Sequence, residues 1–556
     1  MDVCPEMTSL PRIDMTATSQ LALPFAAAPA GDVRQLVAGV IDWAGNLPRL
    51  GLAAAEQELI GLAVDPRFRR SRNGARLDSF GDDDWADELG RLRSVDERRD
   101  LGQFFTPQPI VDVMVDWCRQ RQPAQVVDPG CGTGRFAIAA AQTLPAARVI
   151  AIDSDPVATL ICRARIERLG LPNVEVRCAD FLTAELPLEN GPTAFVGNPP
   201  YVRHHRLTPA IKRWGTEAAR QLGVPFSGLA GLHVYFFLAT AIRARPGDFG
   251  CYITSAEWLD VGYGKGLRQL LKDRLGICSL SLLDESAAAF ADAMTSALIA
   301  CFEVGSGARS IRVSVVNEFR RADGPDDSRC LAHGQLNDRW GTALRGGIAT
   351  RPTSGLMRLG EFARVHRGIA TGANGFFVME LGQARALGLQ DFARPAVTAA
   401  KQIIHSGGRL DGRGCKVLIL LPKSLAGLSP VQRRAVDAYL EQGTQQGVPQ
   451  RYLCRHRSPW WYLGEPNPPQ IIASYMARRP PAFALNPQGL LILNIAHGIF
   501  PHHRAEDGTL AQLVGMLNAQ AKTFVGNGRR YQGGLEKFEP REMEDLLIPP
   551  LPGSNA

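Results

Sequence analysis

From about residue 100 to residue 305, short apolar runs alternate with longer stretches in which apolar positions recur every three or four residues. The runs are AQVVDPG, ARVIAID, VEVRCADF, TAFVGN, GCYITSA, CSLSLLDE and SALIACFEV. Each has the length and flanking residues of a buried strand, and the segments between them have helical periodicity. Strands alternating with helices predict an α/β fold around a mostly parallel sheet. Residues 1–97 are different: helical patches such as VRQLVAGVIDWA are interspersed with charged stretches such as GDDDWADELGRLRSVDERRD, which predicts a helical extension. Beyond about residue 345 the alternation stops, and glycine, proline, arginine and aromatic residues become frequent. The chain therefore divides into three regions, 1–97, 98–345 and 346–556, the last a domain of mixed α/β or β-rich type.

Composition narrows the class without naming a chemistry. At 556 residues and 60.3 kDa the chain exceeds one ordinary domain, so two or three cores are expected. Its 45% hydrophobic and 21% charged residues are those of a globular protein, and no apolar run reaches the length of a membrane span. The N-terminus carries Asp2 and Glu6 and has no basic flank ahead of LALPFAAAPA, so it does not read as a signal peptide. A net charge of +7 tilts only slightly toward an anionic partner. Eleven cysteines without a C-x-x-C pair argue against a disulfide framework or a zinc ribbon, so no metal is expected and a reducing cytoplasm fits best.

Candidate chemistry lies where strands hand over to helices. VVDPGCGTGRFAIAAA places Asp128, Gly130, Gly132 and Gly134 between a strand and a helix, where glycines let the backbone approach a ligand closely. The spacing is G-x-G-x-G rather than G-x-G-x-x-G, which fits S-adenosylmethionine better than a dinucleotide, because that cofactor has no pyrophosphate needing a helix N-terminus. The second strand ends in Asp153, placed to accept from two ribose hydroxyls. The third leads to Asp180 and Phe181, an acid for an adenine amino group and a ring for its face. Upstream, in LGQFFTPQPIVDVMVDWC, Phe104, Phe105 and Thr106 are candidates to close over the cofactor. Thr106 is also expected to cap the next helix, with Pro107 in its first turn and Ile110, Val113, Met114 and Trp117 as its buried stripe.

The fourth strand runs into FVGNPPYVRHH. Asn198, Pro199, Pro200 and Tyr201 suit methylation of an amine conjugated to an aromatic ring. If the Asn198 side-chain oxygen and the Pro199 carbonyl each accept one amino proton, the nitrogen lone pair is freed to face the methyl donor. The prolines fix the backbone path, Pro200 has no N–H to compete for that carbonyl, and Tyr201 can stack on the ring. A second Asn-Pro-Pro, at Asn467, Pro468 and Pro469, has no aromatic after it and no glycine turn before it, and reads as a polyproline-like loop.

GQFFTP, DPGCGTG, AIDSDP, ADF and NPPY, in that order, resemble the motifs of the gamma class of adenine-N6 DNA methyltransferases, the TaqI-like enzymes of restriction-modification systems. The resemblance is carried by residues 98 to 305 and extends more loosely to the C-terminus. It implies a Rossmann-like class I methyltransferase sheet, S-adenosylmethionine as cofactor, and an adenine flipped out of double-stranded DNA between Tyr201 and a second ring, for which Phe290 stands in the matching place. It also implies a C-terminal target-recognition domain and a role in defence beside a cognate restriction nuclease. In that domain Arg451, Arg455 and Arg457 of RYLCRHRSPWWYL, and Arg529 and Arg530 of the terminal segment, are candidates for DNA contact. No nuclease signature is found in the extension, so cleavage by this chain is not expected. Two rivals stand beside this reading: an NPPY methyltransferase acting on ribosomal RNA or on a release-factor glutamine, and a non-catalytic DNA specificity subunit.

Overall fold

The seven apolar runs become strands of a single nine-stranded sheet in the computed structural model of the protein. They are β1 (Gln125–Pro129), β2 (Arg148–Asp153), β3 (Val174–Cys178), β4 (Thr193–Gly197), β5 (Phe249–Ser255), β6 (Ile277–Leu283) and β7 (Ala297–Glu303). Two more, β8 (Ser310–Val316) and β9 (Arg329–Ala332), extend the far edge. The structure describes residues 31–44, 52–64, 84–93, 97, 102, 106–187, 189–283, 297–316, 328–336, 340–344, 356–477, 479–503, 505–524, 529–531 and 535–550. Two compact units result, residues 1–348 and 349–556.

The strand order is β3-β2-β1-β4-β5-β7-β6-β8-β9. The first five run parallel, and β7 lies antiparallel to both β5 and β6. Successive residues of β1 serve opposite faces, as the pleat requires. Val126 packs with Ile110, Met114 and Phe136, from the helices Gln108–Arg119 and Arg135–Thr143. Val127 packs in the other core with Trp214, Tyr235 and Phe237, from the helices Pro209–Leu222 and Leu232–Arg243. Each such fully buried side chain contributes about 2 kcal/mol of hydrophobic stabilisation, so the run "QVV" is held from both sides. After β3 the chain returns to β4 on the other side of β1. That reversal opens a crevice at the carboxyl ends of β1 and β4.

Residues ahead of the first motif belong to this unit. Helices α1 (Gly31–Ala44), α2 (Ala54–Val64) and α3 (Asp84–Leu92) precede α4 (Gln108–Arg119), α5 (Arg135–Thr143) and α6 (Pro156–Leu169). Leu36, Val37, Val40, Leu59, Trp85 and Leu89 share one core with Val157, Ala158, Leu160, Ile161 and Ala164 of α6. A buried polar contact fixes the docking. The Glu56 carboxylate accepts from Thr159 Oγ1 at 2.8 Å, Arg163 Nε at 2.9 Å and Ala53 N at 2.8 Å.

Two expectations for α4 are corrected. Its N-cap is Pro107, without a side-chain cap, so Thr106 does not cap the helix. Its buried face is Ile110, Val111, Met114, Val115 and Cys118, whereas Val113 is 42% exposed. Two adjacent ridges, 110-114-118 and 111-115, face the sheet, and Val113 lies on the other side of the helix. Trp117 borders that face, its ring edge-on to Phe249 at 5.8 Å and covered by the Arg121 guanidinium at 3.7 Å.

The second unit is mixed α/β. One four-stranded sheet orders Ala363–Arg367, Ala496–Pro501, Ile471–Ser474 and Phe483–Leu485; another orders Val378–Met379, Lys416–Ile419, Ala393–Val397 and Leu491–Ile492. Its helix Pro430–Gln445 starts at a capping box in which Ser429 Oγ accepts from Gln432 N and Gln432 Oε1 accepts from Ser429 N.

Candidate active site

The glycine turn after β1 is pinned by backbone bonds. Gly130 N and Cys131 N both donate to Ile152 O, at 2.8 and 3.0 Å, and Gly132 N donates to Asp153 Oδ2 at 2.8 Å. Gly130 has φ +72°, and a Cβ there would meet Pro200 Cδ at 3.4 Å and Phe236 Cε1 at 3.6 Å, filling the space between the turn and the NPPY segment. Asp128 lies beneath the turn rather than in the cavity wall. It is fully buried, and its Oδ2 accepts from Ala137 N at 3.0 Å, which ties β1 to α5. Gly134 likewise packs inward: its φ is +89°, and a Cβ would stand 2.5 Å from Cys162 Sγ.

A cavity opens beside this turn. Thr106, Gly130, Gly132, Asp153, Asp180, Phe181, Asn198 and Pro200 line it. Both carboxylates there are perturbed by burial. Asp153 is pushed up to about 6, chiefly by burial and then by the Asp155 charge, while backbone N–H groups of Asp155 and Gly132 and the Arg93 charge pull the other way. Burial likewise raises Asp180, opposed by the Leu182 N–H and Arg243. Phe181 packs against Phe236 at 5.3 Å.

Asn198 Nδ2 donates to Thr106 Oγ1 at 3.1 Å, which gives Thr106 the role of a tether in place of a helix cap. The Thr106 carbonyl in turn accepts from Arg135 Nη1 at 3.0 Å. Tyr201 N donates to Gly102 O at 3.2 Å, and the Tyr201 hydroxyl donates to Ile253 O at 3.4 Å. His233 stands behind the Tyr201 ring, centroids 6.1 Å apart, and burial pushes its imidazole down to about 4, so it is neutral at pH 7. Sequence reasoning missed Arg135, His233 and Gly102, although the glycine of GQFFTP was a signal for the last. Phe104, Phe105 and Phe290 lie outside the described residues.

In the second unit the arginines separate. Arg457, expected among the DNA contacts, is turned inward instead: Nη1 donates to Thr371 O at 2.7 Å and Nη2 donates to Ala370 O. Arg451 and Arg455 are exposed, and Arg455 lies over the ring of Tyr452, which is 69% exposed. Trp460 and Trp461 are partly buried and pack against the core that holds Phe376 and Phe377. Arg529 and Arg530 lie on the strand Arg529–Tyr531, and their side chains lie outside the described residues. Asn467 is exposed on an irregular segment.

A crevice at the reversal of a β3-β2-β1-β4-β5-β7-β6 sheet, with a glycine turn, acid-bearing strand ends and an NPPY segment, defines a class I S-adenosylmethionine-dependent methyltransferase. Comparison with known proteins bears this out. Residues 126–223 match the family described as a methyltransferase domain, residues 182–290 the Eco57I restriction-modification methylase, and residues 349–556 the C-terminal domain of the type II methyltransferase M.Eco57I. The chain is 42% identical over 463 residues to the type II methyltransferase M.XamI of Xanthomonas campestris pv. amaranthicola, covering 82% of this chain and 86% of that one. It is 23% identical over 475 residues to M.AccI of Acinetobacter calcoaceticus, with the same coverage of 82% and 86%. Its fold is similar to that of the type IIL restriction-modification enzyme MmeI, solved in complex with DNA, with a TM-score of 0.56 at 12% identity over 91% of this chain and 79% of that one. The chain belongs to the type II methyltransferases of restriction-modification systems, in the gamma class.

Proposed function

We propose that this chain methylates the exocyclic N6 of an adenine flipped out of duplex DNA, at a short sequence selected by residues 349–556. The observation that carries the reading is the entry of Asn198 and Pro200 into the cavity lined by the glycine turn and the two strand-end acids. When bound there, S-adenosylmethionine supplies an electrophilic methyl group. Asp153 accepts from its ribose hydroxyls, and Asp180 and Phe181 hold the adenine of the cofactor. At the other end, Asn198 Oδ1 and the Pro199 carbonyl accept the two amino protons of the target, and Tyr201 stacks on its ring. No strong base is needed, because the methylated ammonium loses its proton readily to water. The biological setting is protection of host DNA beside a restriction nuclease.

Expression in a host lacking adenine methylation, followed by genome-wide mapping of modified bases, tests the reading. One short motif carrying N6-methyladenine is expected. Methyl groups on cytosine N4, on ribosomal RNA or on a release-factor glutamine, or none at all, would overturn it.

The NPPY segment depends on a glycine whose replacement cannot be absorbed by side-chain adjustment, because its nearest neighbours are backbone. A Cβ on Gly102, whose φ is +65°, would stand 2.5 Å from Tyr201 N and 3.0 Å from both Pro200 C and Val202 N. Gly102→Ala is therefore expected to displace the segment and slow single-turnover methyl transfer by about 10²-fold. A rate near wild type would show that the segment is positioned from elsewhere.

A further inference from the structure

The helices ahead of the first motif take no part in the chemistry above, yet they reach the cofactor cavity. Leu89 of α3, 1% exposed, stands in the same wall as Asp155 and Ala158. Four residues on, Arg93 Nη1 donates to Asp155 Oδ2 at 2.5 Å, in a pair whose side chains are only 9% and 2% exposed. The other oxygen of Asp155 caps α6, accepting from Val157 N at 3.0 Å, and its backbone N donates to Asp153 Oδ1 at 2.9 Å. A run of hydrogen bonds thus connects the extension to the carboxylate at the end of β2.

We propose that the N-terminal extension is a working part of the cofactor site: Leu89 walls the cavity, and Arg93 is a positioning residue that, through Asp155, keeps the Asp153 carboxylate ionised and aimed at the ribose hydroxyls. This rests on the reading of the cavity as the S-adenosylmethionine site. The electrostatics support it. Among the described residues, Asp153 faces Asp155 on its own turn, Asp128 from β1, Cys131 from the glycine turn and Cys178 from β3, and Arg93 is a cation acting on it. Without Arg93 only the backbone N–H groups of Gly132 and Asp155 offset burial and the Asp155 charge, and protonation of Asp153 moves to higher pH. Protonation removes the charge of Asp153 and turns one of its two acceptor oxygens into a donor, so affinity is full above its pKa and falls as the pH drops through it.

The test is titration calorimetry of the full chain with S-adenosylhomocysteine, which shares the ribose and adenine, from about pH 8.5 down to about pH 5.5. Arg93→Met is expected to bind within about twofold of wild type at the alkaline end and about tenfold more weakly near pH 6.5, its affinity curve displaced to higher pH. Arg93→Lys should restore most of the wild-type curve, and Leu89→Ala should weaken binding at every pH. An Arg93→Met curve parallel to wild type at all pH values would overturn the inference alone, since a purely structural role predicts that form. Failure of the wild-type chain to bind S-adenosylhomocysteine would overturn the reading of the cavity and this inference with it.

Discussion

Asn198→Ala is expected to slow methyl transfer by about 10²- to 10³-fold, the loss typical of removing one preorganised group that stabilises charge developing in the transition state. The dissociation constant for S-adenosylmethionine should stay within about threefold of wild type, because the side chain acts on the target amine rather than on the donor. Its tether sharpens the prediction. Asn198 Nδ2 is held by Thr106 Oγ1, which orients the amide so that its oxygen is presented in one direction. Asn198→Asp keeps an acceptor, and the Thr106 hydroxyl can rotate to donate to it, so its rate should fall between those of alanine and wild type. Single-turnover kinetics with cofactor affinity measured in parallel checks this. Equal losses in rate and affinity would assign Asn198 to cofactor binding and remove it from the chemistry.

Removing residues 349–556 is expected to lower affinity for the cognate sequence by about 10³-fold or more, toward the level of non-specific binding. The remaining binding should fall steeply with salt, as contacts to phosphate alone do. Residues 1–348 form a compact unit with cores of their own, so cofactor affinity of the shortened chain is the control for folding. Sequence-specific methylation by the shortened chain would place recognition in the first unit. The exposed Arg451, Tyr452 and Arg455 are where base or phosphate contacts in the second unit would be sought first.

The centre of the sheet was legible because β1, β4 and β5 are apolar runs bounded by glycine, proline or acidic residues, and burial on both faces leaves little polar patterning to confuse the period, whereas the half-exposed β8 and β9 at the far edge were not read. NPPY, the glycine turn and the strand-end acids were legible for a related reason: they lie in short contiguous segments. What was not legible depends on partners distant in the chain. Thr106 has the sequence context of a helix cap, and only the arrival of Asn198, 92 positions later, shows its other use. Arg457 looks like a surface cation until the carbonyls of Ala370 and Thr371 are found around it. Arg93 and Asp155 are 62 positions apart, and nothing local to either predicts the pairing. Val113 was misplaced because one stripe was assumed where two ridges of α4 are buried.

The shared core between α1–α3 and α6 has a consequence for assembling hybrids from relatives. A joint placed at the first motif would strip α6 of the helices packed on its outer face and expose Val157, Leu160 and Ile161 to water. Residues 349–556 have cores of their own, so on the proposed assignment of recognition to them they are the block to exchange as a whole.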